Sequence, residues 1–489
     1  MVLLAIALGL FMASLDSTIV GACLRSIVQD LGHQDLVPGS VPHLFGRKWV
    51  FILALGLFEV GSLVCAVAPS MVILILGRAV AGLGGGGIFT MSYVIIADIV
   101  SARNRGKYQT LVSIVYGGAS VVAPLLGGLF SDYTTWRWAF YVNLPLGFIA
   151  VTGAVLCMNF PSPSGSFMDK VKRIDVLDVF FLFTCVAMLI AALELGGSTY
   201  AWSSAPIIGL LFGFIVLFIC FIYVELRIAA EPVIPASLFV NSSVPAILLS
   251  AFCLGAYFFA GLYYIALFYQ VVNGDTATLA GVKAIPFVVG LVALSVTTGV
   301  LVSRTGRYKI FFYIGAGLSV IGIGLTASLN KDSLLVEKIL YLFIFGLGAG
   351  VMTSVRMLAI QFSVPTEMIA IGSAVTQTMG TLGGSVGVAI SGTIFNNIIS
   401  TRASSLPVLA QSISELKEAG YGIDATQVLQ LSKLLTTTPP FVSNGTIANA
   451  ELIGIFGEAF KTAYFTLEVY PIVILVMTLF IVEFNYVKK

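Results

Sequence analysis

The chain has 489 residues, 58% of them hydrophobic and only 10% charged, with a formal net charge of +2. A soluble protein of ordinary usage carries roughly 25% charged residues, so this composition cannot cover a water-facing surface. The near-neutral balance, without a basic block, points to no nucleic-acid partner, and two histidines, His33 and His43, are too few for a histidine metal site.

Crossing a bilayer as a helix takes ~20 apolar residues. Thirteen apolar runs in the chain approach or exceed that length: 2–21, 49–68, 71–96, 110–130, 138–157, 176–195, 206–224, 244–269, 281–302, 310–329, 339–358, 369–394 and 469–484. Only helices and closed barrels satisfy the backbone in lipid, and runs this long are helical. The fold class expected is therefore an all-α polytopic membrane protein. The first run is too long for a cleavable signal peptide, lacks a basic leading region and contains Asp16. Cys23, Cys65, Cys157, Cys185, Cys220 and Cys253 lie in or near apolar runs without paired spacing, and read as small lipid- or core-facing residues.

Lysine and arginine in alternating loops set the orientation. Arg47/Lys48, Arg103/Arg105/Lys107, Lys170/Lys172/Arg173, Arg227, Arg304/Arg307/Lys309 and Lys488/Lys489 mark one side as cytoplasmic. The other side carries fewer: Arg137, Lys283, Lys331, Lys338 and a long polar loop, 396–464. Of two N-x-S/T sequons, Asn444 falls in that external loop and is the candidate for glycosylation, whereas Asn241 falls on the cytoplasmic side.

The run YGGASVVAPLLGG (116–128) holds Gly117, Gly118, Gly127 and Gly128 with Ala119, Ser120 and Ala123, a face small enough for close helix contact, bent by Pro124. Its order resembles the antiporter signature of the major facilitator superfamily, G-x-x-x-G-P-x-x-G-G, with Ala123 in place of the glycine before proline. The resemblance covers essentially the whole chain. LDSTIV (15–20), LGRAVAGLGGGG (76–87) with Arg78, and WRWAFYVNLPLG (136–147) look like span signatures of the fourteen-span drug:proton antiporters. GVLVSRTGRYK (299–309) and FGRKWVF (45–51) look like two copies of one loop motif, the internal repeat of paired transporter halves. The neighbourhoods 46–70 and 81–89 look most like fungal efflux carriers for toxins and secondary metabolites.

The family's second span is absent from its place. The interval 25–48 contains Asp30, His33, Gln34, Asp35, Pro38, Pro42 and His43, and no apolar run there nears bilayer length. GSVPHLFGRK (39–48) still fits the loop motif, as if roughly one span had been lost just before it. Arg47 and Lys48 hold the next span's start inside. Without an intervening span the first helix must invert or fail to insert normally, and Asp16 is expected to be displaced. A defective gene model or splice form competes here with a remodelled transporter.

A charge at bilayer depth costs at least ~2.5–3.5 kcal/mol on insertion scales, so such residues are candidates for function. Asp16 is either a protonation site or a structural partner for a neighbouring helix, with Arg78 its natural counter-charge. Glu59, mid-span, and Glu194, near an external end, are further candidates to carry a proton. Arg356 ends a span near the cytosol, where snorkelling competes with ligand binding. By the resemblance, Asp98 pairs with Arg47 in a cytoplasmic latch with Lys48, repeated by Arg304 and Arg307 in the second half. Tyr257, Phe258, Phe259, Tyr263, Tyr264, Phe268 and Tyr269 could line a pocket or face lipid, with Gln270, Gln361 and Gln377 as added donors.

The glycine run 84–87 lacks the lysine of a phosphate loop, and no nucleotide, metal or nucleophile motif appears, so no cofactor and no enzyme activity are expected. The resemblance implies two helical bundles with two extra central spans: 1–158 as an N-terminal bundle lacking one span, 159–230 as a central loop with the extra spans, and 231–489 as a C-terminal bundle. It implies a monomer in the plasma membrane that exports a small organic molecule, a toxin, drug or secondary metabolite, in exchange for protons. Proton-coupled uptake, for instance of an iron chelate, and a non-transporting remnant are the alternatives.

Overall fold

The computed structural model describes residues 47–100, 134–158, 176–196, 200, 202–228, 234–365, 368–418 and 445–483, with scattered positions within 7–16 and 105–130 and at 431 and 435. Strand structure among the described residues is limited to an isolated bridge between Gly196 and Tyr200. Ten of the described helices are long and apolar enough to cross a membrane.

The apolar runs become helices whose ends sit at local stop signals. α1 (Arg47–Ala66) and α2 (Met71–Ile99) are joined at Ser70, whose hydroxyl accepts from the Ile73 N–H at 3.5 Å. α3 (Trp138–Cys157) completes this group and packs on α1. α4 (Val176–Leu195) and α5 (Ala205–Arg227) pack mainly on each other. α5 turns Phe212 and Ile219 outward at 67% and 61% exposure, a surface suited to hydrocarbon rather than water.

The second bundle contains α6 (Ser243–Val272), α7 (Ile285–Thr305), α8 (Lys309–Ala327), α9 (Leu335–Ser363) and α10 (Ile369–Ser405). After α11 (Pro407–Glu418) it closes with α12 (Gly445–Leu467) and α13 (Val469–Thr478). α6 packs on α10, and α9 lies between α7 and α8. Thr305-Gly306-Arg307 turns from α7 toward α8, with Gly306 at φ +71°, a left-handed conformation that explains the glycine in the repeated loop motif.

In hydrocarbon, helices gain nothing from burying apolar surface against each other, so close backbone approach has to hold them. Gly84 on α2 shows the requirement. A Cβ there would overlap the Phe58 backbone nitrogen and lie 2.6 Å from the Ala54 carbonyl oxygen on α1. Gly383 on α10 meets the Phe252 carbonyl of α6 in the same way.

The segment 396–464, expected as a polar loop, is helical in most of its described part. α10 runs on to Ser405, and α12 supplies most of a span covering Ile447–Thr478. Leu452, Phe456, Ala459, Phe460, Ala463, Tyr464 and Leu467 are buried, at helical spacing. The polar residues that suggested a loop lie on the outer face, where Glu458 accepts from Arg402 at 2.9 Å. Inside, Phe460 lies between Phe268 and Tyr464, with ring centroids 4.6 and 4.5 Å away. The Tyr464 hydroxyl donates to the Gly261 carbonyl of α6 at 2.5 Å. Membrane hydrogen bonds average about 0.6 kcal/mol. Tyr464→Phe is therefore expected to lower stability by only about that amount, read as a small shift in the thermal unfolding midpoint of detergent-solubilised protein.

Candidate functional site

Helical residues within 7–16 lie in the groove of α1 and α2, where a Cβ at Gly9 would sit 3.2 Å from Leu55 and 3.3 Å from Phe51. That packing delivers Asp16, 3% exposed, to Arg78 on α2. Arg78 Nη1 donates to Asp16 Oδ2 at 2.5 Å, and the guanidinium lies 5.8 Å from the centre of the Phe140 ring. Asn143, on the first turns of α3, directs its amide nitrogen to Asp16 Oδ1 at 3.5 Å and to Ser62 Oγ on α1 at 3.4 Å. Asn143 and Ser62 are fully buried. The expected displacement of Asp16 is not observed: contacts with α1 and α2 fix it beside Arg78.

One turn before Ser62, Glu59 turns its carboxyl toward Gly147, one turn beyond Asn143. A Cβ at Gly147 would collide with that carboxyl, so the glycine provides its space. Glu59 Oε1 is buried without a hydrogen-bond partner among the described residues. Asp16, Asn143 and Ser62 thus form a hydrogen-bonded polar cluster with Arg78 as its cation, and Glu59 is a second carboxyl one turn away on α1. Chemically each of the two carboxyl groups can take up a proton. Sequence reading named both acids but missed Asn143 and Ser62, since neither signals anything without its neighbours.

The antiporter-type run places its small residues on two faces. Ala119 and Ala123 are fully buried in a cluster with Cys65, Leu74 and Phe140. Gly117 faces Val288 and Val292 of α7, across the boundary between the bundles. Gly118 has open space where a Cβ would stand. Pro124, Gly127, Gly128 and Asn444 lie outside the described residues, as do the side chains of Arg47 and Glu194.

At the end expected to be cytoplasmic, Lys48 Nζ donates to the Val155 carbonyl at 2.7 Å. Arg105 Nε donates to the Ala97 carbonyl at 3.2 Å. Burial lowers the Arg105 pKa, and the charge of exposed Asp98 acts against that shift. Arg304 and Arg307 are exposed and pair with no acid among the described residues.

Two sequence readings change in the second bundle. Arg356 does not snorkel: it is 7% exposed, with Nη1 and Nη2 donating to the Thr376 carbonyl at 3.3 Å and Gln377 Oε1 at 3.4 Å. Its acceptors lie on α10, about twenty residues further along, beyond the reach of any local pattern. The aromatic series also divides. Tyr257, Phe258, Tyr264, Phe268 and Tyr269 are buried, packed on rings such as Phe345, Phe287 and Phe395. Phe259 and Tyr263 are exposed at 42% and 51%. Most of the series is therefore bundle core rather than pocket lining. Gln361 is buried against Ser373 Oγ at 3.2 Å.

Comparison with known proteins agrees with this architecture. The family model of the Major Facilitator Superfamily matches residues 39–388. The chain is similar to MFS-type efflux pump MFS1 of Arthroderma benhamiae, 30% identical over 463 residues, covering 90% of this chain and 84% of that one. It is similar to Efflux pump aflT of Aspergillus parasiticus, 32% identical over 487 residues, covering 94% and 92%. A bacterial homologue of the human lysosomal transporter Spinster, crystallised in an inward-facing and occupied conformation, aligns over 100% of this chain and 97% of its own. Its TM-score is 0.58 at 13% identity, which speaks for the fold alone. Apolar helices in two bundles, the close contact of Gly117 with α7 between them, the family match and relatives of nearly full length lead to one conclusion: this chain belongs to the major facilitator superfamily and is a multi-pass membrane transporter of small molecules.

Proposed function

We propose that the chain exports a small organic molecule across the plasma membrane in exchange for protons, acting as a monomer. The observation that carries this reading is the buried pair of Asp16 and Arg78, tied through Asn143 to Ser62. Breaking such a pair is costly while both groups stay charged. A proton on Asp16 removes the attraction and frees Arg78, which couples protonation to rearrangement of the first bundle. Glu59, one turn from Ser62 on α1, is the second proton position. The names of the two curated relatives, both efflux pumps, support the direction. The resemblance to fungal toxin and metabolite carriers supports the cargo class. In this reading 1–158 and 231–489 are the moving bundles, 159–230 the accessory pair, and Asp98 with Arg47 and Lys48 the cytoplasmic latch.

Proteoliposomes containing the full chain test it. With a pH gradient imposed, a fluorescent aromatic probe should accumulate on the acidic side while a pH dye records protons moving the other way. One proton per cycle supports roughly tenfold accumulation per pH unit. Protons moving with the probe would assign uptake instead. No movement of probe under any gradient would assign the non-transporting alternative.

A further inference from the structure

Among the described residues, Arg356 is a cation without a counter-ion. It is 7% exposed, its two donated bonds go to neutral oxygens, and its Nε has no hydrogen-bond partner. No carboxylate among the described residues pairs with it. A neutral amide could satisfy the same two acceptors without the cost of burying an unpaired charge. Gly380 makes room for the group: a Cβ there would lie 2.8 Å from Nη1.

Its neighbours Thr376, Gln377 and Gly380 stand on α10. α2 and α10 pack together at the boundary between the bundles. The guanidinium lies about two turns from the Ser363 end of α9, roughly 10 Å of helix rise. A planar fork with an unused donor suits a flat, negatively charged group.

We propose that Arg356 binds the anionic group of the cargo, a planar carboxylate, and that this chain prefers organic acids. The inference rests on the export reading only in calling the ligand cargo. Its test is equilibrium binding without a gradient, so its failure and the failure of proton exchange are separately visible.

The full chain in non-ionic detergent is titrated with anthracene carboxylate and with the neutral anthracene carboxamide, read by fluorescence anisotropy. The carboxylate should bind at least about tenfold more tightly, the scale of one charge-assisted hydrogen bond. Arg356→Gln should remove that preference. Gln377→Glu places a fixed carboxylate beside the guanidinium and should also remove it, while the protein stays monodisperse with an unchanged or raised melting midpoint. Equal affinity of the unaltered chain for both probes overturns the proposal. So does a Gln377→Glu chain that keeps the preference, which decides the matter even where Arg356→Gln fails to fold.

Discussion

Asp16→Asn is expected to abolish accumulation of the probe against a pH gradient, a loss of at least tenfold per pH unit if one proton moves per cycle. Asparagine keeps the shape of aspartate, but its single oxygen can accept from only one of Arg78 and Asn143 while its amide nitrogen faces the other donor, and it cannot take up a proton. The substitution also leaves the Arg78 cation, whose side chain is 21% exposed, without its carboxylate. Removing one partner of a buried pair costs about 3–5 kcal/mol. A lower melting midpoint therefore accompanies the transport defect in the single variant. The double variant Asp16→Asn, Arg78→Gln separates the two effects. With neither charge present, the midpoint should recover most of its loss, because neutral pairs replace buried ion pairs at little cost. Transport should not recover. A double variant that regains gradient-driven accumulation would show that the pair is structural and that the proton uses another carboxyl, with Glu59 the first to examine.

The layout of these groups explains what the sequence could and could not reveal. Apolar length is a local property, so most spans from 49–68 to 339–358 were legible, and 369–394 was legible at its start, although α10 runs on to Ser405. α12 was not, because Glu451, Glu458 and Lys461 dilute its apolar character along the chain. Its three- and four-residue recurrence from Leu452 to Leu467 is the signal that finds it. Asp16 and Arg78 were legible as charges at bilayer depth. The missing span suggested that they would be separated, an argument about chain topology. The contacts of Gly9 with Phe51, Leu55 and Ile88 act locally, and they decide where Asp16 sits. Arg356 was misread for the opposite reason: its burial depends on α10, whose distance in sequence hides it.

The seam between bundles offers the other large effect, through Gly117. A transporter that opens to alternate sides needs contacts between its halves that form closely and part again. Gly117 meets Val292 of α7 so closely that even a Cβ would overlap the valine methyl. Gly117→Val should therefore keep the bundles from reaching this arrangement. The nearest atoms to a Cβ at Gly117 belong to Val292 and Val288 of α7 rather than to the buried cluster of Ala119 and Ala123, so that cluster stays filled. Transport in proteoliposomes should fall at least about tenfold, while thermal unfolding shifts by less than the 1–3 kcal/mol typical of overpacking a closed core, because the boundary can open. Val292→Ala removes the methyl groups that the new side chain would strike. Combined with Gly117→Val it should restore a substantial part of the rate, although Val292→Ala alone adds nothing. Rescue of this kind reports contact across the boundary rather than damage within either half. If the double variant stays as inactive as Gly117→Val, the glycine acts within its own helix, through backbone bending near Pro124, and the close approach to α7 does not limit transport.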